Sequence, residues 1–434
     1  MNLHRLVSAN RRTELRHLMS RQHQVVLVAA GTGVATGLFV ALLDWLVVRQ
    51  IFEHVVRLRP WLLAPLPGLG LLGALAARRY IGRGASAATA DEYLHAFHDP
   101  QHDLPWRPFV ARMVAAIASV GTGAPMGLEG PSLYAGATFG LKLQRRAPRL
   151  FGIADRRVLM VAGAAAAVAA IFKAPATGAV FALEVPYQND LARRMLLPAL
   201  VASATGYLTF VSINGTSALF PVDGTPAYAI RELLGAIAVG IVAGIGARTF
   251  ARMLRYAKQL AAGPRPLLTT LIAGGSLAAM FALGRILTGE SLLLGAGYQV
   301  VTWASNPGRS IWILLAILGL RCLATSAAVA GGGAGGLFIP LVVGGALTGS
   351  VISGLVIHGD LTLFIVIGVA AFLGAGYRVP LAAVMFVAET TGRPSFIVPG
   401  LLAAVAAELM MGSSSVTKYQ QQAEARVVDE TSGD

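Results

Sequence analysis

The chain has 434 residues, of which 55% are hydrophobic and 13% charged, and its mean hydropathy is +0.66. Soluble domains carry about 25% charged residues, so this composition argues against a soluble globular protein. The formal charge of +14 would suggest nucleic acid in a soluble chain, but here Lys and Arg sit between apolar runs, as in 142–157 and 248–265. That pattern is membrane anchoring by basic loops, and it leaves no role for nucleic acid.

Residues 1–23 are polar and basic, with no small-residue cleavage site before the first apolar run. They read as a cytoplasmic tail rather than a cleaved signal. Charge-free or nearly charge-free runs follow at 24–43, 61–77, 267–284 and 322–357. Each is long enough, or nearly so, to span a hydrocarbon core of about 30 Å. Short alternating segments of the barrel type are missing. The class is therefore an all-α polytopic membrane protein. The single cysteine, Cys322, excludes an internal disulfide, a thiolate metal cluster and a CxxC redox pair.

Between the second and third apolar stretches lies EYLHAFHDPQHD, with His95, His98 and His102 near Asp91, Glu92, Asp99 and Asp103. The spacing could suit a divalent metal. It reads better as a polar connection, and neither metal nor cofactor is expected. Next comes GTGAPMGLEGPSLYAGATFG, residues 121–140, whose one charge is Glu129. An acid at the bilayer midplane costs about 2.5–3.5 kcal/mol on insertion scales, and such costs are usually tied to function. Glu129 lies two residues before Pro131, so it belongs at or next to a helix N-terminus. Free N–H groups and the positive dipole end favour an anion there. A carboxylate can fill such a site itself and leave when protonated, which would make Glu129 a gate and a proton carrier. The plainer reading is a permanent cap.

The chain repeats itself. GLEGPSLYAGATFG (127–140) matches GLFIPLVVGGALTG (336–349) in its opening Gly-Leu, its Pro and its closing Gly, with Pro131 and Pro340 209 positions apart. KAPATGAVFALE (173–184) matches RVPLAAVMFVAE (378–389), with Pro175 and Pro380 205 positions apart. Two pairs in the same order at similar offsets indicate duplication. The expected organisation is a tail (1–23), a first membrane repeat (24–220), a second (221–420) and a C-terminal tail (421–434). These residues alone leave parallel and inverted halves both open. Fifty glycines and 21 prolines run through the apolar segments. They allow close helix packing and broken helices, whose two free N-termini could meet near the midplane as an anion site made of backbone.

These motifs resemble the CLC family of chloride channels and proton-coupled chloride exchangers. GLEGP (127–131) is similar to its G-K/R-E-G-P motif, GLFIP (336–340) to G-x-F-x-P, and FKAPATGAVFALE (172–184) and VPLAAVMFVAETTG (379–392) to its paired helices. The resemblance covers roughly residues 25–420. It implies a CLC-like inverted repeat, antiparallel halves, and a homodimer with one pore per subunit. It further implies anion permeation gated by Glu129, with backbone amides of Gly130, Leu337, Phe338 and Ile339 lining the anion sites and Phe338 shaping the pore. A prokaryotic type is expected, without regulatory cytoplasmic domains. It would sit in a bacterial inner membrane with both termini cytoplasmic.

Three departures stand out. The family's G-S-G-x-P serine motif falls on Gly82–Ser86, where Arg83 replaces Ser and no Pro follows. Gly82, Arg83 and Gly84 would then line the anion path and Arg83 would put a cation in it. Otherwise Arg83 is an anchor beside Arg78 and Arg79, and Ser86 serves after a shift of register. The exchangers' second, internal glutamate falls on Val185, which cannot relay a proton, so a water path or Asp190 would have to substitute. The family's central tyrosine falls on Thr417, with Tyr419 close by; either hydroxyl could donate to an anion. The expected cargo is chloride or another small anion, with protons exchanged if Glu129 carries them. Rival readings are a carrier for fluoride, nitrate or an organic anion, and a membrane-embedded enzyme. The enzyme would need clustered polar groups at membrane depth, which the charge-free runs do not supply.

Overall fold

The computed structural model describes residues 3–146, 157–188, 190–217, 219–220, 230–355 and 360–422, with side chains from His23 onward. The expected junction at 220/221 abuts undescribed residues, and most of the tail 421–434 lies outside the described ones. The first part of the chain forms α1 (Leu3–Asp44), the short α2 (Glu53–Val55) and α3 (Pro60–Leu63), α4 (Leu66–Ala76), α5 (Thr89–His98) and α6 (Trp106–Gly121). Then come α7 (Glu129–Arg146), α8 (Val158–Phe172), α9 (Pro175–Glu184) and α10 (Leu196–Asn214). The second part forms α11 (Ile230–Ala261), α12 (Pro266–Thr288), α13 (Tyr298–Ala304), α14 (Ile311–Ala330), α15 (Phe338–Leu355), α16 (Leu361–Tyr377), α17 (Pro380–Thr391) and α18 (Ile397–Met411). Among the described residues, eight helical stretches are long and apolar enough to cross a membrane. Leu27, Ile286 and Trp312 on the outer helices are each more than two-thirds exposed, as lipid-facing side chains would be.

The repeat is legible in the packing. α7 meets α8 at Gly136 and Gly163, so closely that a Cβ on either would run into the other's carbonyl. α15 meets α16 in the same way at Gly345 and Gly368. These positions keep the 209 and 205 offsets of the prolines. Without a hydrophobic drive in lipid, such backbone contact is what holds helices together. The turns also correspond. α8 ends on Lys173 (φ 53°) and α16 on Arg378 (φ 58°), both left-handed. Pro175 and Pro380 then open the next helices, where a missing N–H costs nothing.

Two carboxylates lock the halves across this correspondence. Glu184, ending α9, accepts from the Leu381 and Ala382 amides at the start of α17 (3.1 and 2.8 Å). Glu389, near the end of α17, accepts from the Ala176 and Thr177 amides at the start of α9 (2.9 and 2.7 Å) and from the Thr177 hydroxyl (2.6 Å). Each helix caps the other, and a reciprocal arrangement of this kind needs halves related by a two-fold axis. The buried N–H groups at these starts have no intrahelical partner. Glu389→Ala should therefore lower the unfolding free energy by about 3 kcal/mol, since three donors lose their acceptor. Unfolding in detergent followed by tryptophan fluorescence reads this; an unshifted midpoint would contradict it.

Candidate functional site

Glu129 is the first residue of α7, and its side chain is 5% exposed. Its Oε1 accepts from the amides of Phe338 (2.7 Å) and Ile339 (3.2 Å), the first two residues of α15. The carboxylate thus occupies the positive N-terminus of a helix from the other half. An antiparallel pair aligns the two loops: the Gly127 amide donates to Gly336 (3.0 Å) and the Gly336 amide to Gly127 (2.7 Å). A Cβ on either glycine would overlap the Glu129 carboxylate and push it off this position. Beyond it, the Phe338 ring packs on Phe172 (4.2 Å) and Phe386 (4.9 Å), walling the cradle with aromatic surface.

Two cavities are lined by residues next to this point, Gly336 and Leu337 in one and Leu128 in the other. The larger, about 450 Å³, is lined by Arg78, Ser86, Thr89, Gly336, Leu337 and Tyr377 among others. The smaller, about 250 Å³, is lined by Asp44, Leu128, Ile171 and Tyr298. Tyr377 from one cavity and Tyr298 from the other both lie within electrostatic reach of Glu129. The Glu129 carboxylate is thus buried close to residues of both cavities.

The structure distributes the other sequence candidates unevenly. Leu337, Phe338 and Ile339 meet at the cradle, and Gly130 follows Glu129 against Thr89 and Gly336. Gly82 is buried against Ala111. Arg83 is exposed and does not line the larger cavity, whereas Gly84 and Ser86 do. The reason is local: the helix continues in wide turns through Ala77–Ile81, which swings Arg78 inward and Arg83 out. Thr417 and Tyr419 line the larger cavity. Tyr419 is 48% exposed and stacks on His95 at 4.5 Å, while the Thr417 hydroxyl is held by Ser415 (3.0 Å). A further hydroxyl beside the cradle is that of Tyr377, which faces the Leu337 amide. Sequence reasoning missed it because it lies in the turn before Arg378 and outside every quoted motif. Tyr298 and Arg78 were missed likewise.

Val185 is 2% exposed, and its carbonyl accepts from Gln420 (2.8 Å). Asp190 hydrogen-bonds the Leu191 amide (2.7 Å) and pairs with Arg193 (3.6 Å). Of the histidine-rich connection only Asp91 and Glu92 line the larger cavity, and the three histidines do not. His102 bonds Glu92 (3.2 Å), and His98 Nε2 lies 2.8 Å from the Pro186 carbonyl. Burial pushes the His98 imidazole down despite that bond, so the neutral ring donates to Pro186 at pH 7.

Comparison with known proteins decides the family. The model described as voltage gated chloride channel matches residues 69–412. The chain belongs to this family. It is 23% identical over 430 residues to the H(+)/Cl(-) exchange transporter ClcA of Salmonella paratyphi B, covering 93% of this chain and 89% of that protein. It is 27% identical over 389 residues to the putative chloride channel protein ClcB-like of Ralstonia nicotianae, covering 86% and 88%. Among solved structures it superposes on a slow cyanobacterial Cl-/H+ antiporter (TM-score 0.78, 21% identity, covering 89% of this chain and 94% of that one). It also superposes on a CLC-type fluoride/proton antiporter (TM-score 0.79, 20% identity, 92% and 98%). The inverted-repeat CLC fold and the multi-pass membrane class follow for this family member.

If the carboxylate and an anion share one CLC cradle, removing the carboxylate must improve anion binding. Glu129→Ala should tighten chloride binding to the detergent-purified protein by about tenfold, as two charge-assisted hydrogen bonds become available to the ion. Isothermal titration calorimetry measures this; unchanged affinity would mean that the anion binds elsewhere.

Proposed function

We propose that this chain carries a small chloride-type anion across the membrane, and that Glu129 gates the path. The observation that carries the reading is the position of its carboxylate, which sits on the Phe338 and Ile339 amides next to residues that line two cavities. An ionised Glu129 competes with the anion for those amides. Protonation weakens its hold, because a neutral carboxyl is a poorer acceptor than a carboxylate. The anion then takes its place.

The proton acts as a gating ligand rather than an obligatory counter-substrate in this reading. Val185 offers no acid with which to hand a proton on from the far side. The neighbouring Glu184 is committed to the α17 amides, and Glu408 pairs with Arg378 at 2.8 Å. Tyr377, Gly130 and Leu337 complete the anion site on the inner side. The protein works as a transporter and not as an enzyme.

The same reading takes the halves as 24–220 and 221–420 and the working unit as a homodimer in a bacterial inner membrane. Positive-inside bias turns the larger cavity, with Lys258 and Lys418 at its walls, to the cytoplasm together with both termini.

Liposomes loaded with chloride, with voltage clamped by a potassium ionophore, test this directly. Chloride efflux should rise as pH falls, without stoichiometric proton uptake. Glu129→Gln should remove the pH dependence and keep the flux high. A strict proton-to-chloride ratio would refute the uncoupled reading, and an intact pH response in Glu129→Gln would refute Glu129 as gate.

A further inference from the structure

We propose that Arg78 forms an anion subsite of its own in the larger cavity, suited to a planar monovalent oxyanion of nitrate's class, and that it sets the preference among anions. The inference rests on the transport reading and deepens it. Arg78 lies on the wide-turned stretch Ala77–Ile81 that continues α4, and its guanidinium reaches the loop leading to the Phe338 cradle. There it packs on Gly332 (φ 77°), where a Cβ would run into the guanidinium.

No carboxylate answers this charge among the described residues, and Nε is buried without a partner. The acids lining the same cavity are already committed. Asp91 pairs with Lys258 (2.6 Å) and accepts from the Lys418 amide (3.0 Å). Glu92 pairs with Arg112 (3.0 Å) and with His102 (3.2 Å). A cation in a confined cavity is normally matched by a counter-charge. With the local acids neutralised, that counter-charge comes from solution.

A second group points the same way. Thr89, at the first residue of α5, is 1% exposed, and its hydroxyl has no hydrogen-bond partner. Its residue lines the same cavity as Arg78. Ser86, which uses its oxygen to accept from the Ala88 amide (3.1 Å), keeps its own proton to donate.

The donor set favours oxygens in a plane. A guanidinium presents parallel N–H groups that two oxygens of one planar anion take together, while a spherical halide uses the fork poorly. The cavity's 450 Å³ leaves room for a polyatomic anion with part of its hydration, given about 30 Å³ per water. A lysine in the same place would supply the charge without the fork.

The test uses full-length protein, with nitrate and chloride as probes. Initial uptake into liposomes is measured for wild type, Arg78→Lys, Arg78→Ala and, as control, Arg79→Ala at the exposed neighbouring arginine. Nitrate and chloride binding to the same proteins in detergent is measured by calorimetry, with size exclusion reporting the fold. Arg78→Ala should cut the nitrate-to-chloride ratio about tenfold. Arg78→Lys should recover chloride but not the ratio, and Arg79→Ala should leave the ratio unchanged. An unchanged ratio in Arg78→Ala, or equal loss of both anions in Arg78→Ala and Arg78→Lys, overturns the subsite. If wild type moves neither anion, the transport reading falls and the calorimetry decides alone. Nitrate binding lost in Arg78→Lys but kept in Arg79→Ala then supports Arg78, and nitrate binding kept in Arg78→Lys overturns it.

Discussion

One carboxylate on two backbone amides organises this protein. Glu129 belongs to one half, and the Phe338 and Ile339 amides belong to the other. The contact exists only because the glycine loops pair antiparallel across the interface of the halves, and because neither glycine carries a Cβ. Every larger feature serves that meeting. The buried glycine contacts of α7 with α8 and α15 with α16 let four helices approach closely enough to aim two N-terminal loops at each other.

Three acids in this core accept from the N-termini of opposing helices, yet their surroundings give them different duties. Glu184 and Glu389 form a reciprocal pair that ties α9 to α17, and Glu389 gathers three donors. No residue adjacent in sequence to either of them lines the two cavities. Glu129 gathers two donors with one oxygen, while its neighbour Leu128 lines the smaller cavity and Gly336 and Leu337, just before those donors in sequence, line the larger. The count of bonds does not set it apart from Glu184; what differs is the neighbouring open space, which in the proposed reading lets this acid leave while the other two stay as scaffold. Placement, not residue type, separates the proposed gate from the caps.

Much of this was legible in the sequence. The duplicated prolines, at offsets of 209 and 205, gave the repeat, and the same offsets recur in the glycine contacts that sequence could not pair. Glu129 and its helix start could be read from a lone charge before Pro131. Its partners came from the family resemblance, since nothing local in GLEGP names Phe338. The Gly82–Ser86 loop was the hardest segment. Its register depends on the wide turns at Ala77–Ile81, a backbone feature with no residue signature, and those turns exchange Arg83 for Arg78 at the cavity. Tyr377 escaped for a similar reason: it enters the site from a left-handed turn at Arg378, where no motif directs attention.

The account stands on the claim that Glu129 and the transported anion compete for the same amides. Anomalous diffraction from crystals soaked in bromide tests this most directly, comparing wild type at neutral pH with Glu129→Gln. The account predicts bromide beside the Phe338 and Ile339 amides in Glu129→Gln and in wild type at acid pH, with that position taken by the carboxylate at neutral pH. Bromide at those amides with the Glu129 carboxylate still bound there, or bromide only at other places in Glu129→Gln, would contradict it.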